Sequence, residues 1–233
     1  MLPTIARAAT TVGDSTFYGR LTEAERTELL SAVSSQRLHI QGRIFLREGE
    51  AASQVTVVLE GWAKAVALTP AGEVVLRIYG PGDIVGAAAA ASGQREAESV
   101  TFLVRGRTVQ LSASDFNLLL LRNPGIARAL NAVMQDRLQQ ADETVRSQFY
   151  TPTVRLVHRL LGLAERFGVA APDGVTIPVE LSQTDLGSWT GVSRVTVARV
   201  LRELRNIGLI STGYRRITIT NIEQLRRLAD PFG

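Results

Sequence analysis

The chain has 233 residues, of which 45% are hydrophobic, so it is long enough for two domains with separate cores. It has no Cys and only two His, His39 and His158, which excludes disulfides, thiolate metal sites and iron–sulfur clusters, and we expect no metal and no haem. The net charge of +4 lies entirely in residues 151–233, which contain 11 Arg and 7 acidic residues. Residues 1–150 contain 15 basic and 15 acidic residues and are neutral overall. This concentration of positive charge in one part of the chain favours a partner that carries phosphate groups.

The start of the chain does not resemble a targeting signal, because residues 1–14 lack an apolar core of signal-peptide length. The apolar runs at 85–92 and 116–121 are shorter than the roughly 18 residues that a membrane span needs. We therefore expect the chain in the cytoplasm.

The first half of the chain predicts a helix followed by an antiparallel β structure. Leu21–Val33 is predicted as a short helix, since Thr22 and Glu25 form a capping box at its start. From Arg43 to about Leu111, short β runs alternate with Gly and Pro turns, a pattern typical of an antiparallel sandwich or barrel. The segment has no parallel-sheet signal and no phosphate loop of the GxxxxGK type.

Two further helices are predicted over Ser114–Leu121 and from Pro124 to about Phe149. The apolar residues of the second, long helix recur in steps of three and four, which describes a seam along one side. The predicted seam residues are Leu130, Met134, Leu138, Ala141 and Val145. Such a seam packs either against the helix of a second copy, which makes this a dimerisation helix, or only within the chain.

A hinge and another helix are predicted next. Thr151 is a good N-cap and Pro152 suits the first helical position, so a helix is expected over residues 152–167. Ala170–Pro178 is predicted as a loop that leads into a short β segment, VTIPVEL, at residues 175–181.

Residues 181–219 predict a helix, a tight turn at Gly191, a second helix and a basic hairpin. This order is typical of a winged helix-turn-helix, whose second helix enters a DNA major groove. The expected N-caps are Ser182 and Ser193, and Leu186 and Trp189 supply the core side of the first helix. The strands of the wing are predicted at Leu209–Ser211 and Ile217–Thr220, with its tip at residues 212–216. A closing helix is predicted at Asn221–Leu228.

The second helix of this unit has one apolar and one cationic face. At about 100° per residue, five apolar residues share an inward face: Val197, Val200, Leu201, Leu204 and Ile207. Val195, Arg199 and Arg202 point the opposite way, and Arg194 reaches the same surface from the first turn. Arginine donors match guanine O6 and N7, and a bare valine suits a thymine methyl, so this face is predicted to contact bases. The alternative is a core helix pair with an incidental arginine stripe.

A helix-turn-helix usually binds paired half-sites as a two-fold dimer, which favours a second copy as the partner of the long-helix seam. The expected fold is α+β. It comprises an antiparallel β-roll with an N-terminal helix at 1–122, a long dimerisation helix at 123–150 and a winged helix-turn-helix domain at 151–233.

The chain resembles the cyclic-AMP receptor protein and fumarate–nitrate regulator (Crp/Fnr) family of bacterial transcription regulators in four segments: GRIFLREGE, VVLEGWAKAVAL, GPGDIVG and LSQTDLGSWTGVSRVTVARVLRELRNIGLI. The resemblance covers about residues 15–220. It implies a jelly roll of the cyclic-nucleotide-binding type, a homodimer, and transcription regulation through sequence-specific binding to a palindromic site on double-stranded DNA. It also implies RNA polymerase as a partner of an activator, with residues 168–174 as a candidate contact surface.

The family's recognition helix has the pattern S-R-E-T-V-x-R, and both arginines are kept between Ser193 and Arg199. The resemblance implies that Arg194 and Arg199 each contact a guanine. Val195 stands where the family has a glutamate that accepts from a cytosine amino group, so we expect a different base there, with thymine favoured. The implied phosphate contacts are Ser182, Thr184, Ser193, Thr196 and Arg215.

The effector site departs from the pattern of the family's cyclic-AMP binders. Ala87 replaces the glutamate that holds the ribose. Glu96 and Ala97 replace the arginine and serine that hold the cyclic phosphate, and a carboxylate there repels a phosphate. On the long helix, Ala141-Asp142 replaces the threonine–serine pair that faces adenine.

We therefore expect that ordinary cyclic AMP is not the effector and that no other cofactor is bound. An alignment shift of one residue would let Arg95 contact the phosphate, which restores only one lost contact. The small residues after Gly86 leave three alternatives: large neighbours fill the space, a bulkier, more apolar or differently charged ligand binds, or the regulator has no ligand. The candidate pocket residues are Val85, Gly86, Ala87, Ala88, Arg95, Glu96, Ala97, Ala141 and Asp142.

Two other classes of function compete with a DNA-binding regulator. One is a nucleotide- or small-molecule-sensing module that acts through protein–protein contacts, against which a steep salt dependence of DNA binding would argue. The other is an enzyme, for which no Ser/His/Asp or Cys/His set can be assembled from two distant His and no Cys.

Overall fold

A computed structural model of the chain describes residues 13–70, 72–213 and 216–230. The chain divides into two compact units, of which the first ends at Gln139 and the second begins at Gln140, inside one long helix. Residues 1–12, which make up most of the segment considered for a targeting signal, lie outside the described part. Within that part, no helix combines the length and apolar composition that crossing a membrane requires.

The first unit opens with a capped helix, α1 (Glu23–Ser31). The Glu25 N–H donates to the Thr22 hydroxyl, and the Thr22 N–H donates to the Glu25 carboxylate. This reciprocal capping box confirms the predicted helix. The elements that follow are β1 (Ser35–His39), β2 (Ile44–Leu46), β3 (Gln54–Glu60), β4 (Ala63–Thr69), β5 (Gly72–Tyr79), β6 (Ile84–Val85), α2 (Ala87–Ser92), β7 (Ser99–Phe102), β8 (Gly106–Ser112), α3 (Ala113–Arg122) and α4 (Pro124–Ser147).

The described strands of the first unit form two four-stranded sheets, in the orders β1-β8-β3-β6 and β2-β7-β4-β5. Their neighbours run antiparallel, with Val57 opposite Val109 in one sheet and Ala65 opposite Val100 in the other. This arrangement confirms the predicted antiparallel β-roll.

Two elements of the roll were not predicted. β1 begins at Ser35, ahead of the expected β region, because its polar residues give no alternating signal. α2 forms in the alanine run, since alanine has the highest helix propensity, and Gly86 and Gly93 bound it with φ of 78° and 69°.

The first unit has two apolar clusters. Between the two sheets, Tyr79, Val85 and Phe102 are buried with Phe45 packed beside them. The second cluster joins the other face of the first sheet to α1, α2, α3 and the start of α4. Its largest buried members are Phe17, Leu29, Leu111, Phe116 and Ile126.

The long helix α4 divides its apolar residues between two sides. Leu130, which is only 6% exposed, belongs to the second cluster, and Met134 packs against it. The prediction that Leu130 lies in a dimer seam is therefore wrong, because the roll's own core covers it. Leu138 and Val145 are 57% and 61% exposed, and Ala141 between them is also exposed.

The second unit contains the end of α4 and a winged fold. Its further elements are α5 (Pro152–Phe167), β9 (Val169–Ala171), β10 (Gly174–Ile177), α6 (Gln183–Thr190), α7 (Arg194–Asn206), β11 (Ile210–Gly213), β12 (Arg216–Ile219) and α8 (Ile222–Ala229). The described strands form one antiparallel sheet in the order β11-β12-β10-β9. The loop predicted at 170–178 is wrong, because β9 and β10 pair there as a hairpin and widen the expected two-stranded wing. The first residues of the β segment predicted at 175–181 are confirmed as part of β10.

Candidate nucleic-acid interface

The helix-turn-helix is built from α6 and α7. Ser182 caps α6: its hydroxyl accepts from the Asp185 N–H at 3.0 Å, and its own N–H donates to the Asp185 carboxylate at 3.1 Å. At the other end Gly191 adopts φ 67°, the left-handed conformation that stops the helix. A Cβ on Gly187 would lie 2.8 Å from the Val192 carbonyl oxygen, so a residue without a side chain permits this tight turn.

Helix α5 packs against α6. The N-cap Thr151 and the first-turn Pro152 start α5 as predicted. The guanidinium of Arg155 donates to the Thr190 carbonyl oxygen at 3.1 Å. Leu186 is buried, whereas Trp189, expected as a core residue, is only half-buried. The first helix of the motif is thus fixed by polar as well as apolar contacts.

Helix α7 begins where the sequence predicts. The Thr196 N–H donates to the hydroxyl of the N-cap Ser193 at 3.1 Å. The inward apolar face is confirmed at four positions, which are at most 4% exposed: Val197, Val200, Leu201 and Leu204. Ile207 is 60% exposed, so its assignment to that face is wrong. The helix ends at Asn206, and as C-cap Ile207 no longer follows the helical rotation.

The outer face of α7 is presented to solvent. Val195 is 78% exposed, and Arg194, Arg199 and Arg202 are exposed as well. Arg199 forms an ion pair with Glu203, at 2.7 Å between Nη1 and Oε1. The outward orientation of the three predicted base-contacting residues, Arg194, Val195 and Arg199, is therefore confirmed, while their contact with bases stays a prediction.

The predicted phosphate contacts differ in how free their hydroxyls are. Thr184 is exposed in the first turn of α6. The Ser182 hydroxyl donates to the Asp185 carboxylate, and the Ser193 and Thr196 hydroxyls share a hydrogen bond of 2.9 Å. Ser182 and Ser193 are the N-caps of their helices, so all three hydroxyls already have partners within the chain. Arg215 lies outside the described residues.

A residue that the sequence reasoning did not single out restrains the wing. Arg205 Nη1 donates to Thr212 Oγ1 on β11 at 3.4 Å. Its position near the end of α7, just before the wing, is the only signal that the sequence offers for this contact. Together with the buried Leu204 and Ile210, it links the recognition helix to the wing.

The candidate effector residues differ in burial. Val85 and Ala87 are buried in different apolar clusters, whereas Ala88, Arg95 and Ala97 are exposed. The Arg95 guanidinium donates to the Gly49 carbonyl oxygen at 2.8 Å, so in the free chain it serves a loop contact. In the second unit, Ala141 and Asp142 are both exposed.

Glu96 is the unusual residue of this set. It is 7% exposed, and its Oε1 lies 3.2 Å from the position that a Cβ on Gly86 would occupy. Burial, with the neighbouring carboxylates of Glu98 and Glu50, raises the pKa of Glu96 to about 7. A group that is partly anionic at neutral pH therefore stands where the Crp/Fnr pattern has a phosphate-binding arginine.

The interior of the roll is occupied by the chain's own side chains. The Tyr79 hydroxyl donates to the Glu98 carboxylate, which also lies 3.5 Å from Arg77 Nε. Arg137 lies over the Tyr79 ring, 5.2 Å from its centroid. Burial raises the pKa of Tyr79, which keeps its hydroxyl a hydrogen-bond donor. These large groups thus contact one another inside the roll, and whether a ligand enters it stays a prediction.

The two histidines belong to separate environments. His39 is buried in the first unit, where its Nε2 lies 2.9 Å from Thr108 Oγ1 and its ring stacks on Phe102. His158 lies in the second unit, stacked on Tyr150, with its Nδ1 3.8 Å from Glu143 Oε1. Both rings therefore have packing roles.

Family profiles match both halves of the chain. That of the cyclic nucleotide-binding domain matches residues 39–123, and that of the Crp-like helix-turn-helix domain matches residues 154–228.

Similar proteins match this chain over most of its length. A CRP-like cAMP-activated global transcriptional regulator of Mycobacterium tuberculosis is 26% identical over 191 residues, which cover 81% of this chain and 85% of that protein. A global nitrogen regulator of Synechococcus elongatus is 27% identical over 186 residues, which cover 78% and 83%. The solved structure of FixK2 from Bradyrhizobium japonicum shares the fold, with a TM-score of 0.76 at 21% identity, over 85% of this chain and 98% of that one.

Proposed function

The chain belongs to the Crp/Fnr family of bacterial DNA-binding transcription regulators, and from this premise we propose that it acts as a homodimer on a palindromic DNA site. Each protomer places its α7 helix in a major groove. The two half-sites are then one helical turn of about 10 base pairs, or a multiple of it, apart.

The observation that carries this proposal is the solvent-exposed outer face of α7. Three exposed arginines and a 78% exposed valine, Val195, lie on a helix that is anchored by four buried residues on its other side. An exposed large apolar residue amid cations has no stabilising partner in water, but it packs on a thymine methyl in a groove. Arg194 and Arg199 supply planar donor forks that fit guanine O6 and N7.

The experiment compares single alanine variants on DNA selected from random duplexes by the wild-type chain. We expect Arg194→Ala and Arg199→Ala each to weaken binding to the selected site by roughly 1–3 kcal/mol. Arg227→Ala, which removes an exposed charge from α8, is the matched control and should keep most of the specific affinity. Equal affinity of all three variants and wild type for the selected site would refute the assignment of these arginines.

The dimer surface that we propose is the exposed side of α4. Leu138, Ala141 and Val145 recur in steps of three and four, and all are exposed. Phe149, just beyond the helix, is 87% exposed. Apolar residues at such spacing are left uncovered in the single chain and gain burial against the same helix of a second copy.

For the effector, we propose that ordinary cyclic AMP does not control this regulator. The buried Glu96 with its raised pKa and the exposed Ala97 supply no cation for the phosphate of a cyclic nucleotide, and the neighbouring Arg95 already donates to the Gly49 carbonyl oxygen. The control is then exerted by a ligand of different chemistry or by the expression level of the protein.

Calorimetric titration with cyclic AMP, cyclic GMP and cyclic di-GMP tests this proposal. We expect no heat of binding from cyclic AMP and no change in DNA affinity when it is added. Saturable binding of one cyclic AMP per chain that raises DNA affinity would contradict it. The DNA-binding proposal stands or falls separately, since it is measured without any nucleotide.

A further inference from the structure

The arginines of the α7 outer face are not equivalent. Arg199 Nη1 donates to Glu203 Oε1 at 2.7 Å, and the two side chains remain 56% and 49% exposed. With the other residues that the structure describes, the side chains of Arg194 and Arg202 form neither a hydrogen bond nor an ion pair. Of the two arginines assigned to guanines, only Arg199 therefore has a side-chain partner that restricts its conformation before DNA arrives.

The pair has consequences for base contact that go beyond helix stability. An exposed ion pair at this spacing adds little to folding. A guanidinium has five N–H donors in a rigid plane, however, and Glu203 uses only one nitrogen at one edge. The remaining donors stay available for guanine O6 and N7, while the carboxylate limits the rotamers of a long and flexible side chain.

The charge of Glu203 acts in the same direction. Four residues along a helix correspond to a rotation of about 40° from Arg199, which places the carboxylate beside the surface that faces DNA. In a non-specific complex, where arginines contact phosphates, a nearby carboxylate repels the backbone and competes for Arg199. In the specific complex the guanidinium points at a base, and this competition is weaker.

We propose that Glu203 is a positioning residue for base recognition: it directs the Arg199 side chain toward a guanine and disfavours contacts between Arg199 and phosphates. The inference rests on the proposed function, because it presupposes that α7 enters a major groove. Glu203 contributes to discrimination between sequences and not to total affinity.

Two variants of Glu203 distinguish the effect of its negative charge from the effect of its contact with Arg199. Glu203→Gln removes the charge and the ion pair, whereas Glu203→Asp keeps the charge on a shorter side chain that no longer reaches Arg199 in the same geometry. Glu223→Gln is the matched control, since it breaks an exposed pair with Arg226 at 3.1 Å on α8 and changes the net charge equally. Thermal unfolding checks that all three variants fold.

The readouts are the dissociation constants for the selected site and for a scrambled duplex, each measured over a range of salt. We expect Glu203→Gln to lower the ratio of specific to non-specific affinity by about fivefold, the lower end of what one bidentate guanine contact contributes. Its scrambled-DNA complex should gain about one phosphate contact, which steepens the salt slope by about 0.9. Glu203→Asp should also lower the ratio of specific to non-specific affinity, with a smaller increase in affinity for scrambled DNA. Glu223→Gln should have the same ratio and salt slope as wild type.

Failures of the two proposals are distinguishable. If wild type discriminates and Arg199→Ala abolishes discrimination, but Glu203→Gln keeps the wild-type ratio and salt slope, the positioning role is refuted and the proposed function survives. If wild type itself binds selected and scrambled duplexes equally, both are refuted.

Discussion

The guanidinium of Arg159 lies over the indole ring of Trp189, 5.0 Å from the ring centroid. Arg159 comes from α5 and also donates to Thr144 Oγ1 at 2.9 Å, near the end of α4. One half-buried cation therefore joins three helices of the second unit, and the first helix of the helix-turn-helix depends on it for part of its support.

Removal of this cation should destabilise the second unit. We expect Arg159→Ala to lower the free energy of its unfolding by roughly 1–3 kcal/mol, through loss of the desolvated cation–π contact and the hydrogen bond. Denaturant unfolding followed by tryptophan fluorescence measures the effect. Arg227→Ala, a change at an exposed site on α8, is the control, and equal stability of the two variants would show that the Arg159 contacts contribute nothing.

The buried carboxyl of Glu96 should make stability depend on pH. Its pKa of about 7, against an ordinary value of 4.5, means that the folded state binds the proton more tightly than the unfolded state. Its contribution to stability is fully present below pH 4.5 and is lost as the pH rises through about 7. Because solvent screens part of the effect, we expect a loss of roughly 1–2 kcal/mol.

Glu96→Gln tests this pH dependence, since glutamine stays neutral. The variant should be more stable than wild type at pH 8 and similar at pH 5, in urea unfolding of the first unit. Burial lowers the pKa of His39, so its effect on the pH dependence of stability has the opposite sign. Wild type and Glu96→Gln share this effect, which therefore cancels in the difference between their free energies of unfolding. A difference that does not change between pH 5 and pH 8 would contradict the assignment.

The exposed side of α4 should control association. We expect Leu138→Glu and Val145→Glu to convert a dimer into monomers, because each places a charge in an apolar contact. DNA affinity should fall by about 10²-fold when the two half-sites are no longer bound together. Sedimentation velocity measures the first effect, with Leu121→Glu on α3 as an exposed control. A monomeric wild type would remove the basis for the prediction.

Val195 should determine one base of the half-site. We expect Val195→Glu to move the preference at that base pair from thymine toward cytosine, whose amino group donates to a carboxylate, by roughly 1–3 kcal/mol. Site selection from random duplexes with both proteins measures the change. An unchanged consensus would show that residue 195 does not face a base.

The parts of the structure that the sequence predicted well depend on local chemistry. The capping box of Thr22 and Glu25, the N-caps Ser182 and Ser193, and the left-handed Gly191 all follow from interactions within a few residues. The outward face of α7 follows from helical rotation alone. The Arg199–Glu203 pair also has a local signal in the sequence, its spacing of four residues.

The errors arose where distant contacts decide the outcome. Leu130 and Leu138 fit the same apolar repeat, but only the packing of the roll determines which of them is covered. The hairpin of β9 and β10 joins the sheet because β10 pairs with β12, whose residues come some forty positions later. Glu96 likewise owes its raised pKa to burial and to the carboxylates of Glu98 and Glu50, and the sequence alone predicted only its charge.

The decisive experiment for sequence-specific binding by α7 is the selection of binding sites from random duplexes by the wild-type chain. We expect an enriched inverted repeat whose half-sites contain guanines for Arg194 and Arg199 and whose centres lie about 10 base pairs, or a multiple of that distance, apart. Enrichment of no sequence at all, or of a single unrepeated element without guanine, would contradict this expectation.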